Sequence, residues 1–191
     1  MPNPLAKQTF SLPFSPGAVF SLCNSPFCAS IQNTAALSPA FQWISLRARL
    51  DMRWVDLQVL DVNSRTDRLD IKFGVVEQQP EISAQCSLQL ADGLLSAELV
   101  CQGDVEAIAI DFTAQADEHF LGFGERFNRI DQRGQEVDLY VINGASGGLA
   151  YKPIPFYMSS CGYAIRLLTS LRTKVRLACY DEPGVVSIRS E

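Results

Sequence analysis

The chain has 191 residues, 47% of them hydrophobic and 19% charged, and a net charge of −5. That length supports one ordinary domain or two small ones and excludes a complete (β/α)₈ barrel, which takes roughly 200 residues or more. The apolar content excludes a disordered chain, and 16 basic residues against 21 acidic ones form no basic stripe, so nucleic acid is not expected as a partner.

Six of the ten prolines fall within residues 1–39, which predicts that residues 1–40 form an irregular or edge-strand lead-in to a body that starts near Phe41. Pro2, Pro4, Pro13 and Pro16 interrupt every apolar run near the amino terminus, and no basic n-region precedes one. No secretory signal is read, and a cytoplasmic location is expected. No stretch approaches the ~18 consecutive apolar residues of a membrane span, so no membrane partner is expected. Cys23, Cys28, Cys86, Cys101, Cys161 and Cys179 are expected to be reduced and mostly buried. The close pair Cys23 and Cys28 has no second pair and no histidine nearby, which argues against zinc, and neither metal nor cofactor is expected.

From Ile44 to Trp54 apolar residues alternate with polar ones, the period of a strand, and at Trp54-Val55 the phase flips as at a bulge or turn. The alternation returns at Leu69–Val75, at Ile82–Leu90 and, after the hairpin signal Ala91-Asp92-Gly93, at Leu95–Cys101. A turn at Gln102-Gly103-Asp104 leads to Val105–Phe112, and Tyr163–Leu168, Lys174–Tyr180 and Val185–Arg189 read as short strands. Turn signals this regular, with no amphipathic helix, predict an all-β antiparallel sandwich over residues 41–191. The chain stops at Ser190-Glu191 in or just after a strand and is expected to be cut rather than finished.

Seven of the twelve glycines lie between Gly122 and Gly162, where the backbone must turn sharply or approach something closely. Gly122-x-Gly124 lacks the third glycine of a dinucleotide fingerprint and opens no helix. Glu125-Arg126 reads as a structural ion pair or as a catalytic acid beside its partner. Asn143-Gly144-Ala145-Ser146-Gly147-Gly148 is a connection or a ligand-contacting loop. Pro153-Ile154-Pro155 enforces extended chain. The single histidine, His119, has no nucleophile beside it in sequence, which argues against a Ser-His-Asp arrangement. Asp117, Glu118, Glu125, Asp131, Glu136 and Asp138 show no spacing that sets two of them across a sugar, and are expected to face water.

The run Glu118-His119-Phe120-Leu121-Gly122-Phe123-Gly124-Glu125-Arg126-Phe127, then Gly134-Gln135, Val137–Tyr140, Tyr151–Ser160 and Gly162-Tyr163, resembles glycoside hydrolase family 31 of α-glucosidases and α-xylosidases. The resemblance is to its amino-terminal, galactose-mutarotase-like β-sandwich, strongest over residues 118–165. It implies a supersandwich packed on a catalytic barrel, the intramolecular partner, with a loop reaching the substrate mouth. In this chain Asn143, Gly144, Ala145, Ser146 and Gly147 are that loop and would meet an α-glycoside. Gly122, Gly124, Glu125, Arg126, Tyr151, Pro155 and Phe156 are its structural motif, with Gly122–Arg126 expected as an ion-paired turn. Xylosidase-like members carry an acidic residue where Asn143 stands. The family's nucleophile and acid/base aspartates lie on the barrel and map onto no residue here, so the chain is expected to be inactive alone. A free-standing carbohydrate-binding sandwich using Trp43, Trp54, Tyr140 or Tyr151 is the alternative. A mutarotase-like enzyme is disfavoured by the single histidine.

Overall fold

Where apolar and polar residues alternate, one face of an extended chain can be buried and the other left wet, and the computed structural model realises this in its described strands. It describes residues 6–33, 41–75, 82–91, 93–140 and 150–191. Among these there is no helix, hence none long and apolar enough to cross a membrane, and every resolved strand pairing is antiparallel. The chain divides into two compact units, residues 1–108 and 109–191.

In the first unit, β1 (Thr9–Ser15), β2 (Ala18–Asn24), β3 (Phe27–Asn33) and β4 (Phe41–Leu50) lie side by side in that order, and β5 (Arg53–Asp56) pairs back on β4. A second sheet runs β6 (Gln58–Ser64), β7 (Arg68–Gly74), β8 (Ser83–Ala91) and β9 (Leu94–Gln102). Within residues 1–40, expected to be an irregular or edge-strand lead-in, residues 9–33 are therefore three regular strands, with β1 at the sheet end. The prolines are accommodated rather than disruptive: Pro13 lies on the end strand β1, where the register shifts, and Pro26 sits in the β2–β3 turn. The phase flip read at Trp54-Val55 is a two-residue hairpin turn slightly earlier, at Asp51 and Met52, both with positive φ (45° and 64°).

Phe20, Leu22, Ala29, Trp43, Leu46 and Ala48 from the first sheet and Leu69, Ile71, Phe73, Ala84, Cys86 and Leu88 from the second are buried. Phe27 meets Trp43 edge-on at 4.9 Å and Phe73 at 5.2 Å, tying the sheets together. Trp43, a candidate sugar-stacking residue, is thus core. Trp54 lies under the guanidinium groups of Arg47 and Arg49, 5.6 and 5.9 Å from its ring centre.

The second unit holds most of β10 (Ala107–Thr113), then β11 (Phe120–Arg126), β12 (Glu136–Asp138), β13 (Ala150–Ser159), β14 (Ala164–Arg166), β15 (Thr173–Leu177) and β16 (Val185–Ser190). Strands β10-β16-β15-β12 form one sheet and β11-β13-β14 another. Val137, Val175, Leu177, Val186 and Ile188 of the first are buried, as are Phe120, Phe123 and Tyr157 of the second. All six cysteines are free; Cys86 and Cys179 are buried and the other four are half-exposed, fewer buried thiols than composition suggested.

Candidate functional site

Strand β11 carries the glycine motif, and its backbone shows why glycine is needed there. Gly122, Phe123 and Gly124 have successive φ values of 135°, 63° and 81°. A Cβ on Gly122 would stand 2.6 Å from the Phe156 carbonyl oxygen, and one on Gly124 would collide with the Lys152 carbonyl and lie 2.9 Å from the Ile154 nitrogen. Phe123 takes the left-handed region at a cost of about 1–2 kcal/mol, because doing so buries its ring completely. The ring stacks on Tyr157, centroids 5.1 Å apart, and Phe120 meets the same tyrosine edge-on at 6.0 Å.

Across the ladder, Gly122 faces Tyr157 and Gly124 faces Pro153, so β13 bulges over Ile154, Pro155 and Phe156 while β11 passes only Phe123. Proline has no N–H to contribute to a ladder, and Pro155 sits where the ladder is interrupted. The Pro155 carbonyl accepts from Leu167 N–H at 2.8 Å. Gly122, Gly124, Pro155 and Phe156 thus meet in one irregularity. Tyr151 belongs to β13, but its side chain lies outside the described residues, as do Asn143, Gly144, Ala145, Ser146 and Gly147.

Glu125 and Arg126 do not form the expected ion pair. Neighbours along a strand point to opposite faces. Glu125 is exposed, and Arg126 is half-buried beside an open cleft of about 340 Å³ lined also by Gly122, Gly124, Phe127 and Ile130. Its Nε is buried without an acceptor among the described residues, and burial lowers the guanidinium below its usual pKa.

The carboxylates behave differently from a water-facing charge run. Glu118 is 1% exposed. Its Oε1 accepts from the Tyr163 hydroxyl at 2.6 Å and the Ser159 hydroxyl at 2.5 Å, and its Oε2 from the Gln115 N–H at 2.9 Å. Burial, with Glu118 close by, pushes the phenols of Tyr157 and Tyr163 well above the ordinary tyrosine range. The sequence marked Glu118, Ser159 and Tyr163 as motif members; it gave no sign that residues 41 and 45 positions apart share one buried carboxylate.

Asp131 is the hub of the next loop. Its Oδ1 accepts from the N–H groups of Phe120 (3.1 Å) and Arg133 (3.0 Å), and its Oδ2 lies 2.7 Å from His119 Nδ1. Ser160 Oγ receives the backbone N–H of His119 at 2.9 Å rather than engaging the ring, so the pair has no nucleophile and serves to pin the loop. Partial burial would raise the Asp131 carboxyl, but the Arg133 N–H, His119 and the Phe120 N–H outweigh it and hold the pKa down at about 2. A carboxyl depressed in the folded state contributes stability that is complete above its unfolded pKa, near 3.9, and is lost as pH falls through the folded value. Chemical denaturation of Asp131→Asn and the parent is expected to show a stability gap that is full at pH 5 and narrows progressively toward pH 2.

Just before residue 141, Asp138 is paired with Arg172 at 2.7 Å, and the Arg172 guanidinium lies 5.2 Å from the ring centre of exposed Tyr140. Leu139 N–H donates to the Thr173 carbonyl at 2.9 Å and Tyr140 N–H to Asp138 Oδ1 at 2.9 Å, so the chain is anchored up to residue 140 and again by β13 from residue 150. No group of three or more potential metal ligands exists among the described residues.

Residues 56–175 match the family described as the glycosyl hydrolase 31 N-terminal galactose mutarotase-like domain. An isomaltosyltransferase of Sporosarcina globispora is 37% identical over 76 residues, 39% of this chain and 7% of that protein. The α-xylosidase XylQ of Lactiplantibacillus pentosus is 42% identical over 62 residues, 32% of this chain and 8% of that protein. The chain thus spans less than a tenth of the curated relatives it matches. Among solved structures, a family 31 sulfoquinovosidase from E. rectale aligns over 97% of this chain and 30% of its own, with a TM-score of 0.49 and 10% identity. A Flavobacterium johnsoniae dextranase aligns over 97% and 24%, with a TM-score of 0.41 and 15% identity. With the family matched over more than half of its length, and with the glycine turn and its β13 partner inside the matched residues, the chain belongs to the glycosyl hydrolase 31 N-terminal galactose mutarotase-like domain family.

Proposed function

We propose that this chain is the non-catalytic β-sandwich of a retaining α-glycosidase acting on α-glucosides or α-xylosides, that it scaffolds a catalytic barrel in a longer polypeptide, and that Asn143–Gly147 lie at the substrate mouth. The observation that carries the reading is how four of the six candidate carboxylates are used. Glu118 is spent on Tyr163, Ser159 and Gln115, Asp131 on His119 and two backbone N–H groups, Asp138 on Arg172, and Glu136 on Lys174 and Arg176. Retaining hydrolysis needs two carboxyls about 5–5.5 Å apart and free to face a sugar, one as nucleophile and one as acid/base. A carboxylate already holding structural donors is poorly suited to either role. The relatives named as α-xylosidase and isomaltosyltransferase support the α-glycoside class, and the anchored flanks at Tyr140 and β13 support a loop presented from a fixed base.

The test is release of aglycone from aryl α-glucosides and α-xylosides by the purified chain. The expected result is no release above buffer. Release that Asp131→Asn or Glu118→Gln abolishes in a folded variant would overturn the reading.

A further inference from the structure

The β2–β3 hairpin holds a feature unrelated to sugar chemistry. Cys23 and Cys28 are register partners directly across the two strands, with only Asn24, Ser25, Pro26 and Phe27 between them. The Asn24 backbone N–H donates to the Gln8 carbonyl on the β1 side at 3.2 Å. Successive residues of a strand direct their backbone groups to opposite neighbours, so Cys23 faces β3 and forms a hydrogen-bonded pair with Cys28. Such pairs place their Cα atoms about 5.5 Å apart, inside the Cα window of a disulfide, and their Cβ atoms about 5.5 Å apart, so the strands must close by about 1 Å at this pair for the bond to form.

The side chains point outward. Phe20, Leu22 and Ala29 are the buried members of these strands, whereas Cys23 and Cys28 are half-exposed and next to the exposed turn at Ser25-Pro26. Among the described residues the Cys23 thiol donates to the Ser25 carbonyl at 3.7 Å, and Cys28 Sγ accepts from the Gln42 side-chain amide at 3.0 Å. The other thiols differ: Cys86 is buried and its pKa is pushed up to about 12 by that burial, Cys179 is buried, Cys101 stands opposite Ala84, and Cys161 has no cysteine register partner.

We propose that Cys23 and Cys28 are a modification site: a cross-strand dithiol oxidised by a small-molecule disulfide of the glutathione type. The thiolate of one cysteine attacks a sulfur of the small disulfide, forming a mixed disulfide and expelling one small thiolate, which takes up the proton released. The thiolate of the second cysteine then attacks the protein-side sulfur, closing the Cys23–Cys28 bond and expelling the second small thiol. Two protein thiols are oxidised by two electrons, and one small disulfide is reduced to two thiols.

The experiment is incubation of the folded chain with glutathione disulfide, followed by intact-mass measurement and peptic mapping with cleavage near Phe27. In the parent the peptide holding Cys23 and Cys28 is expected to lose about 2 Da with the two linked, whereas in Cys23→Ser and Cys28→Ser the remaining cysteine of the pair retains one glutathionyl group, a gain of about 305 Da. A parent in which this pair stays reduced, keeps a glutathionyl adduct on Cys23 or Cys28, or links to a different cysteine would overturn the proposal. If either serine variant fails to fold, as judged by circular dichroism, the mapped linkage in the parent decides the question alone.

Discussion

Gly124→Ala is expected to destabilise the chain by about 3–5 kcal/mol, the sum of left-handed backbone strain and a forced backbone clash. The argument rests on both terms being present at once. Gly124 has φ of 81°, and an added methyl group would run into the Lys152 carbonyl and the Ile154 nitrogen, main-chain atoms that cannot rotate away. Against a total stability of about 5–15 kcal/mol, a loss of that size leaves little folded protein in mild denaturant. Gly134 and Gly162 supply the control. They have nearly the same φ, 80° and 88°, with nothing within 4 Å of an added Cβ, so alanine there meets strain alone and should cost about 1–2 kcal/mol. Urea midpoints for the three variants measure the difference directly. Equal losses at all three positions would mean that the close approach of β13 to Gly124 contributes nothing.

Glu118→Ala is the second large effect, expected at about 3 kcal/mol or more, because it removes the acceptor shared by the buried Ser159 hydroxyl, the half-buried Tyr163 hydroxyl and the Gln115 N–H. Glu118→Gln keeps the shape and one carbonyl oxygen but turns an amide N–H toward a donor, so its loss should be smaller. The two variants also differ from the parent in alkaline solution. The phenols of Tyr157 and Tyr163 are raised in the folded state, by burial first and by the neighbouring Glu118 as well. Above about pH 10 the unfolded chain releases those protons while the folded chain keeps them, so the unfolded state binds fewer and stability falls as pH rises. Without the carboxylate the phenols are raised less, so the alkaline decline of Glu118→Gln should begin at the same pH as in the parent but level off at a lower one. A decline that levels off at the same pH in parent and variant would show that Glu118 does not act on these tyrosines.

The strands were legible in the sequence because period-two alternation is a local signal. Ile82–Leu90 and Leu95–Cys101 form β8 and β9, and the glycine at their turn, Gly93, takes a φ of 77°. The lead-in was read from its prolines as irregular or edge strand; β1 does lie at a sheet end, where a missing N–H does no harm, whereas β2 and β3 are inner strands of that sheet. The ion pair expected of Glu125-Arg126 ignored the strand rule that sends adjacent side chains to opposite faces. Glu118 was grouped with solvated charges for a different reason: its partners come from the other end of β13 and beyond, and nothing in local spacing announces a buried carboxylate shared by distant hydroxyls. The glycines of β11 were visible as necessary, but the atoms that make them so, the carbonyls of Lys152 and Phe156, belong to the bulge opposite.

The central claim is that no carboxylate in this chain serves as a glycosidase nucleophile. The most direct measurement is intact-mass spectrometry of the folded chain after prolonged incubation with 5-fluoro-α-glucosyl and 5-fluoro-α-xylosyl fluorides, which trap the glycosyl-enzyme intermediate of a retaining enzyme on its nucleophile. The account predicts an unchanged mass with both reagents; a stoichiometric glycosyl adduct mapped to an aspartate or glutamate of this chain would contradict it.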